Sequence, residues 1–191
     1  MKKLLRSAMV FFGLFIIITG VIYPLFITGI AQVFFPWQAN GSIIRDSNGT
    51  AVGSQNIGQS FQELGYFWGR PSATGGYPYN AGASGGSNLS VLNKTLTQQV
   101  TDRFNRITSE DTANSQPVPV DLLTASASGL DPHISPEAAF YQAHRVALSR
   151  GLPESQVRSM VESHIERPFL KLFGEPRVNV LMLNLALDSV K

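Results

Sequence analysis

The chain has no cysteine among its 191 residues. That excludes disulfides, a thiolate metal site and a cysteine nucleophile, and it suits an exported domain. Other signatures are missing as well. No Gly-x-x-x-x-Gly-Lys-Ser/Thr stretch occurs, so there is no phosphate-cradling loop with its lysine. No Asp-x-Asp-x-Asp-Gly run points to calcium. The histidines His133, His144 and His164 are scattered, without zinc-ligand spacing to a near carboxylate. Each reads as a surface or capping residue. No catalytic residue, metal site or intrinsic cofactor is assigned on these grounds.

Charge is scarce too. Asp, Glu, Lys and Arg make up 15% of the chain, and none falls between Ser7 and Ile44. A bilayer core is spanned by about 20 apolar helical residues, and this run supplies more. Lys2, Lys3 and Arg6 precede it, and only Arg45 follows closely. That asymmetry puts the N-terminus in the cytoplasm. The expected organisation is a cytoplasmic N-terminus at 1–6, a transmembrane helix over 7–35 and an extracytoplasmic (periplasmic) domain over 36–191. The chain would sit in the cell inner (plasma) membrane as a single-pass protein, with the lipid bilayer as one of its partners. A cleaved signal peptide is the rival reading. Signal h-regions usually run about 7–15 residues and end in small residues. Here the stretch is longer and Phe34-Phe35-Pro36-Trp37 follows, an interfacial aromatic belt, so retention is preferred. Gly13 and Gly20 are seven apart and share one helix face, where a partner helix could approach closely. The bland alternative is that glycine is frequent in membrane helices. Pro24 is a candidate kink, of the kind neighbouring helices repair.

The pI of about 9.0 invites a nucleic-acid reading. Without Lys2, Lys3 and Arg6, however, the 15 basic residues become 12 against 13 acidic. The outer domain carries no basic patch in sequence, and no nucleic-acid partner is expected.

Asn48-Gly49 between short strand-like runs predicts a tight hairpin. Gly65 to Asn88 reads as a long ordered loop, rich in glycine and serine but carrying Tyr66, Phe67, Trp68, Tyr77 and Tyr79. Leu89, Leu92, Leu96, Val100, Phe104 and Ile107 recur at helical spacing and predict a helix over 89–107. Pro117 and Pro119 make 115–120 extended, and 121–132 reads as a loop. Ser135-Pro136-Glu137 opens a helix that Gly151 closes after Arg150. A further helix is expected from Glu154 to Ile165, with Pro168 stopping the chain's helical run. A strand is expected over Val178–Leu183 and a short helix over Leu185–Val190. The fold class is therefore α+β: one transmembrane helix, then a single domain with few strands and long Gly/Ser-rich loops.

Two loop clusters could carry binding. Arg70, in Gly69-Arg70-Pro71-Ser72-Ala73-Thr74, could clamp a carboxylate or phosphate with its planar fork. The preferred reading is a structural arginine bonding loop carbonyls. Ser84-Gly85-Gly86-Ser87-Asn88 precedes the expected 89–107 helix, whose N–H groups could hold an anion. Simple capping by Ser87, Asn88 or Ser90 is preferred.

Taken in order, several segments resemble one family. They are Phe35-Pro36-Trp37-Gln38-Ala39-Asn40-Gly41-Ser42, Ile57-Gly58-Gln59-Ser60-Phe61, Tyr66 through Thr74, Pro78-Tyr79-Asn80, Ser84 through Leu89, Thr124 through Asp131, Val178-Asn179-Val180 and Leu183 through Asp188. With these the chain resembles the C subunit of the Kdp potassium-transporting P-type ATPase. The resemblance implies an accessory, non-catalytic subunit in a high-affinity potassium uptake complex, potassium being the ion transported. Its implied partners are a channel-like potassium-selective subunit, a P-type ATPase subunit that hydrolyses ATP, and a very small membrane subunit. Arg70, Ser72 and Asn80 fall in the matching loop. One family account makes the subunit a catalytic chaperone that raises ATP affinity, likened to an ABC-transporter signature with a glutamine. On that account Gln142, with Ser84, Gly85, Gly86 and Ser87, is associated with nucleotide. The other account places the domain over the extracellular ion entrance. A domain outside the membrane cannot touch cytoplasmic ATP, so the topology favours an indirect effect.

Other function classes remain at this stage. A membrane-anchored envelope enzyme, such as a cell-wall hydrolase, would use acids like Asp121 and Asp131 with separated pKa values in one cleft. A structural adaptor without a transport role would need no such pair.

Overall fold

The computed structural model describes residues 1–168 and 174–190. The chain divides into two compact units, Met1–Ile44 and Arg45–Lys191.

The first unit is dominated by an unbroken helical stretch, Lys2–Phe34, long and apolar enough to cross a membrane. It consists of α1 (Lys2–Ile17), a π-turn (Ile18–Ile22) and α2 (Tyr23–Phe34). The π-turn has a local cause. Pro24 has no N–H and its ring crowds the carbonyl four residues back, that of Gly20. The backbone widens by one residue there, and the Tyr23 N–H bonds Ile18 O instead. The proline thus leaves the helix continuous. No residue of α1 or α2 is buried within the chain, which fits a helix apolar on all sides. A short helix α3 (Pro36–Ala39) follows, and Trp37 Nε1 donates to Ile43 O at 3.2 Å.

Strands β1 (Ile43–Arg45) and β2 (Ala51–Ser54) form a two-stranded sheet. Asp46 Oδ1 organises the turn by accepting the N–H groups of Asn48 and Thr50, and Gly49 takes φ +81°. The expected hairpin is present.

The second unit contains α4 (Lys94–Glu110), α5 (Val120–Leu123), β3 (His133–Ile134), α6 (Pro136–Arg150), α7 (Glu154–Ser163), β4 (Ile165–Glu166), β5 (Arg177–Asn179) and α8 (Val180–Asp188). The sheet order is β3-β5-β4, antiparallel throughout, with Val178 opposite both Ile134 and Ile165. The core gathers the small face of α6 (Ala138, Ala139, Ala143, Val146) with Val157 and Val161 of α7, Leu183 and Leu187 of α8, Val178 and Phe67. Alanines let the neighbouring elements come close to α6. Helix α6 starts and stops as its sequence prescribes. Ser135 Oγ accepts the Ala138 N–H at 3.0 Å, and Gly151 closes the helix at φ +66°.

Several boundaries differ from expectation. The 89–107 helix begins only at Lys94, where Asn93 Oδ1 caps the Thr95 N–H. Val91 and Leu92 are 85% and 90% exposed, so the apolar repeat before Asn93 marks no helix. Ser84–Asn88 therefore opens no helix, and the expected caps Ser87, Asn88 and Ser90 are replaced by Asn93. The predicted 178–183 strand stops at Asn179, whose Oδ1 accepts the Met182 N–H and starts α8 five residues earlier than foreseen. Ile165 leaves α7 and pairs in β4. The 121–132 loop is interrupted by α5, which begins at Val120. Gly65–Asn88 is irregular as expected, apart from a 3-10 turn at Ala81–Ala83.

Gly129 and Gly151 share the same left-handed backbone, at φ +67° and +66°. A Cβ on Gly151 would meet nothing within 4 Å, whereas one on Gly129 would lie 2.8 Å from Gly85 O and 2.5 Å from Thr74 Cγ2. Gly151→Ala should cost about 1 kcal/mol from backbone strain alone. Gly129→Ala should cost a further 1–3 kcal/mol or so from overpacking. Urea denaturation of the two variants measures the difference, and equal losses would contradict the packing described.

Candidate functional site

The site is built around a buried stretch of irregular backbone. Leu64 to Trp68 runs without strand or helix, yet Phe67 is fully buried and Trp68 nearly so. Buried backbone groups need partners, and here side chains of α6 and α8 supply them. Asn184 Oδ1 accepts the Phe67 N–H at 2.9 Å and its Nδ2 donates to Phe67 O at 3.0 Å. Gln142 repeats this one residue on: Oε1 accepts the Trp68 N–H at 2.8 Å and Nε2 donates to Trp68 O at 3.1 Å. Each amide copies the pairing of a neighbouring strand. Arg145 donates to the carbonyls of Leu64 and Tyr66, and Arg150 to that of Gly65 at 2.7 Å.

Gln142 has no capacity left over. A primary amide has two donors and two acceptor lone pairs. Nε2 also reaches Ala138 O at 3.2 Å, and Oε1 also accepts from Arg145 Nη2 at 2.8 Å. The Arg145 guanidinium lies 3.9 Å over the Trp68 ring, and that of Arg106 lies 4.7 Å from the same ring. Burial pulls the Arg145 pKa down to about 10, against the opposing charges of Asp111 and Glu110, so it stays a cation at neutral pH.

A second set of contacts ties the same loop to residues 126–131. Ser72 Oγ donates to Gly129 O at 2.7 Å and accepts the Tyr79 N–H at 2.8 Å. Ser84 Oγ and the Gly85 N–H both donate to Ser128 O, at 3.0 and 2.9 Å. Arg70 Nη1 meets Asp131 Oδ2 at 3.2 Å. The Tyr79 hydroxyl donates to Arg70 O at 2.6 Å, and burial, aided by the Asp131 charge, pushes its pKa up to about 12. Burial also acts to raise the Asp131 carboxyl. Hydrogen bonds from His133 and the charges of Arg70 and His133 outweigh it and hold the group below the usual carboxylate range.

The sequence-assigned residues thus fall into separate roles. Arg70, Ser72, Ser84 and Gly85 converge on 126–131. Asn80 stays within its own loop, accepting the Gly82 N–H and donating to Gly75 O. Gly86 packs against Ala127, which a Cβ would approach to 3.1 Å. For Ser87 no hydrogen bond is described. Gln142 belongs to the Trp68 clamp, with no bond to the 84–87 segment among the described residues. Gly13 and Gly20 lie in the other unit, with open space beside each. Of the acids, Asp121 Oδ2 accepts the Ser135 N–H at 2.7 Å and Asp131 is ion-paired. His144 does meet a carboxylate, Asp111, at 2.8 Å, and His133 lies near Asp131 and Glu166. Among the described residues no group of three or more His, Asp and Glu could hold a metal ion.

Residues 5–189 match the family described as KdpC, K+-transporting ATPase, c chain. This chain belongs to the KdpC family. It is similar to the potassium-transporting ATPase KdpC subunit of Polaromonas naphthalenivorans (strain CJ2), 58% identical over 100% of this chain and 97% of that relative. The corresponding subunit of Variovorax paradoxus (strain S110) is 55% identical over 99% and 97%. That of Herpetosiphon aurantiacus is 53% identical over 100% and 98%. The residues that sequence reading missed are Asn184, Arg145 and Arg150. An Asn inside the otherwise apolar α8 and an Arg on the alanine face of α6 are the available signals, since a lone polar group on a buried face needs a partner.

Gln142→Ala would strip the Trp68 N–H and C=O of their partners. We expect a loss of about 2–4 kcal/mol in folding stability, measured by denaturation of the full chain with no nucleotide present. An unchanged midpoint would sink the clamp. The depressed Asp131 carboxyl stabilises the fold above the unfolded carboxyl pKa of about 3.9. That stability is lost as pH falls through the lower folded value. Wild type should therefore lose more stability between about pH 5 and pH 3 than Asp131→Asn, as read by urea midpoints across that range.

Proposed function

We propose that this chain is an accessory, non-catalytic subunit of a high-affinity ATP-driven potassium uptake complex. The observation that carries this reading is the match of nearly the whole chain to the c chain of a K+-transporting ATPase. In this reading Lys2–Phe34 anchors the protein in the inner membrane, with the basic N-terminus in the cytoplasm and the second unit outside. Its partners are a channel-like potassium-selective subunit, the ATP-hydrolysing subunit and a very small membrane subunit. Potassium is the cargo of the complex, and the chain brings no cofactor of its own.

Any influence on ATP use is then indirect. About 30 Å of hydrocarbon separates cytoplasmic nucleotide from an external domain. The geometry of Gln142 supports the same view, because its amide is already fully engaged by Trp68, Ala138 and Arg145. We read Gln142 and Ser84–Ser87 as supports of the domain's shape, through which the subunit favours one state of the pump.

Gly13 and Gly20 form the proposed partner-helix face. The π-turn that contains Gly20 widens the helix there, and such turns are frequent at functional sites. A tagged chain should co-purify in fixed stoichiometry with a multi-span channel subunit and an ATPase. Gly20→Leu should lower the yield of that complex several-fold, because bulk forces the helices apart, while Ile18→Leu should not. Recovery of the tagged chain alone, or equal yields from the two variants, would refute the reading.

A further inference from the structure

We propose that the cavity between α4 and the Ser60–Tyr79 loop is an anion site that takes a phosphate-type oxyanion. The cavity measures about 230 Å³ and lies wholly within the second unit. Three guanidinium groups line it, from Arg70, Arg103 and Arg106, and no carboxylate does among the described residues. Arg103 and Arg106 are three apart on α4 and so share one helix face. Arg70 enters from the opposite loop. Trp68, Phe61 and Tyr79 supply aromatic walls.

Each guanidinium has five N–H donors in a fixed fork, and the described fold uses few of them. Arg103 Nη1 donates to Leu123 O at 2.7 Å, and Arg106 Nη2 reaches Gln62 O at a long 3.4 Å. Arg70 gives Nη1 to Asp131, which lies outside the cavity lining. No carboxylate among the described residues lines this cavity to balance Arg103 and Arg106. Asp131 already balances Arg70, whereas Arg103 and Arg106 have no ion pair among the described residues and bring two uncompensated cations to the same cavity. Arg103 registers this enclosure, since burial lowers its pKa.

An oxyanion answers every one of these features. Its negative charge balances the Arg103 and Arg106 guanidiniums, and planar forks bind phosphate oxygens in pairs. A cation such as potassium meets the opposite field, so this is no cargo site. The phosphate chemistry could come from the free ion or from a lipid headgroup, and a titration separates them.

The full-length chain carries two tryptophans, so Trp37→Phe leaves Trp68 as the reporter beside Arg106. Sodium phosphate, titrated against sodium chloride at matched ionic strength, should give a saturable change in Trp68 emission that chloride does not. Arg103→Gln and Arg106→Gln should each weaken binding about tenfold or more, the loss expected for a charge-assisted hydrogen bond. Arg45→Gln, outside the cavity, should leave it unchanged. Thermal midpoints in chloride identify a variant that fails to fold, and Arg106→Lys then keeps the charge while removing the fork. Dihexanoyl phosphatidic acid in the same assay distinguishes the source. Tighter binding than phosphate, with the same arginine dependence, assigns a headgroup; weaker binding assigns the free ion. No saturable response to either up to about 10 mM, beyond the weak limit of a specific site, overturns the proposal. So does wild-type affinity in both glutamine variants.

Discussion

The structure of the second unit depends on side chains replacing a strand. From Leu64 to Trp68 every carbonyl is taken by a long polar side chain of α6 or α8: Arg145, Arg150, Asn184 and Gln142. Irregular backbone is normally kept at the surface because its polar groups cannot be satisfied inside. Here it is drawn into the core, with Phe67 at 0% exposure. The alanines of α6 make this possible by leaving room beside Gln142 and Arg145. Once this stretch is fixed, the path of 69–86 is constrained, and its hydroxyls and amides fall onto 126–131.

This arrangement decides where polar chemistry is available. A hydrolase acid needs a carboxyl with a raised pKa near an ionised partner. Asp131 goes the other way, held down by His133 and Arg70, and Asp121 is committed to the Ser135 N–H. The acids suited to an envelope enzyme serve as loop ties. Most polar residues of the long loop act inward in the same manner, so the loop's unusual composition reflects what is needed to pin it.

How much could be read from the sequence follows the range of the interactions. Local signals were legible: the Ser135-Pro136 start and Gly151 stop of α6, the Asn48-Gly49 turn, and the uncharged apolar run that begins at Ser7. Boundaries failed where periodicity and capping disagreed. Leu89 and Leu92 continue the apolar repeat of α4, but the helix starts at the cap Asn93 supplies rather than at those Ser87, Asn88 or Ser90 could have supplied. The same conflict moved the start of α8 to Val180 behind Asn179. The clamp itself was not legible, because Gln142 and Asn184 lie 74 and 117 residues from the backbone they hold. Family resemblance singled out Gln142 without a reason that spacing could supply. The fold provides one, in which the glutamine is matched to Trp68 as a strand would be.

A pinned loop also bears on how such a domain could influence a distant site. A ligand or partner shifts an equilibrium only by its differential affinity for two states. A domain whose surface loops rearrange freely would bind both states alike, adapting to each and giving up ordering entropy each time. One whose long loop is fixed at Leu64–Trp68 from two helices, and again at 126–131, offers a single shape. Such a surface fits one arrangement of its neighbours better than another, and the difference in fit is available as coupling energy. The several buried polar ties are thus worth more to an accessory subunit than to a free domain. They hold the specific surface on which preference between two pump states would rest.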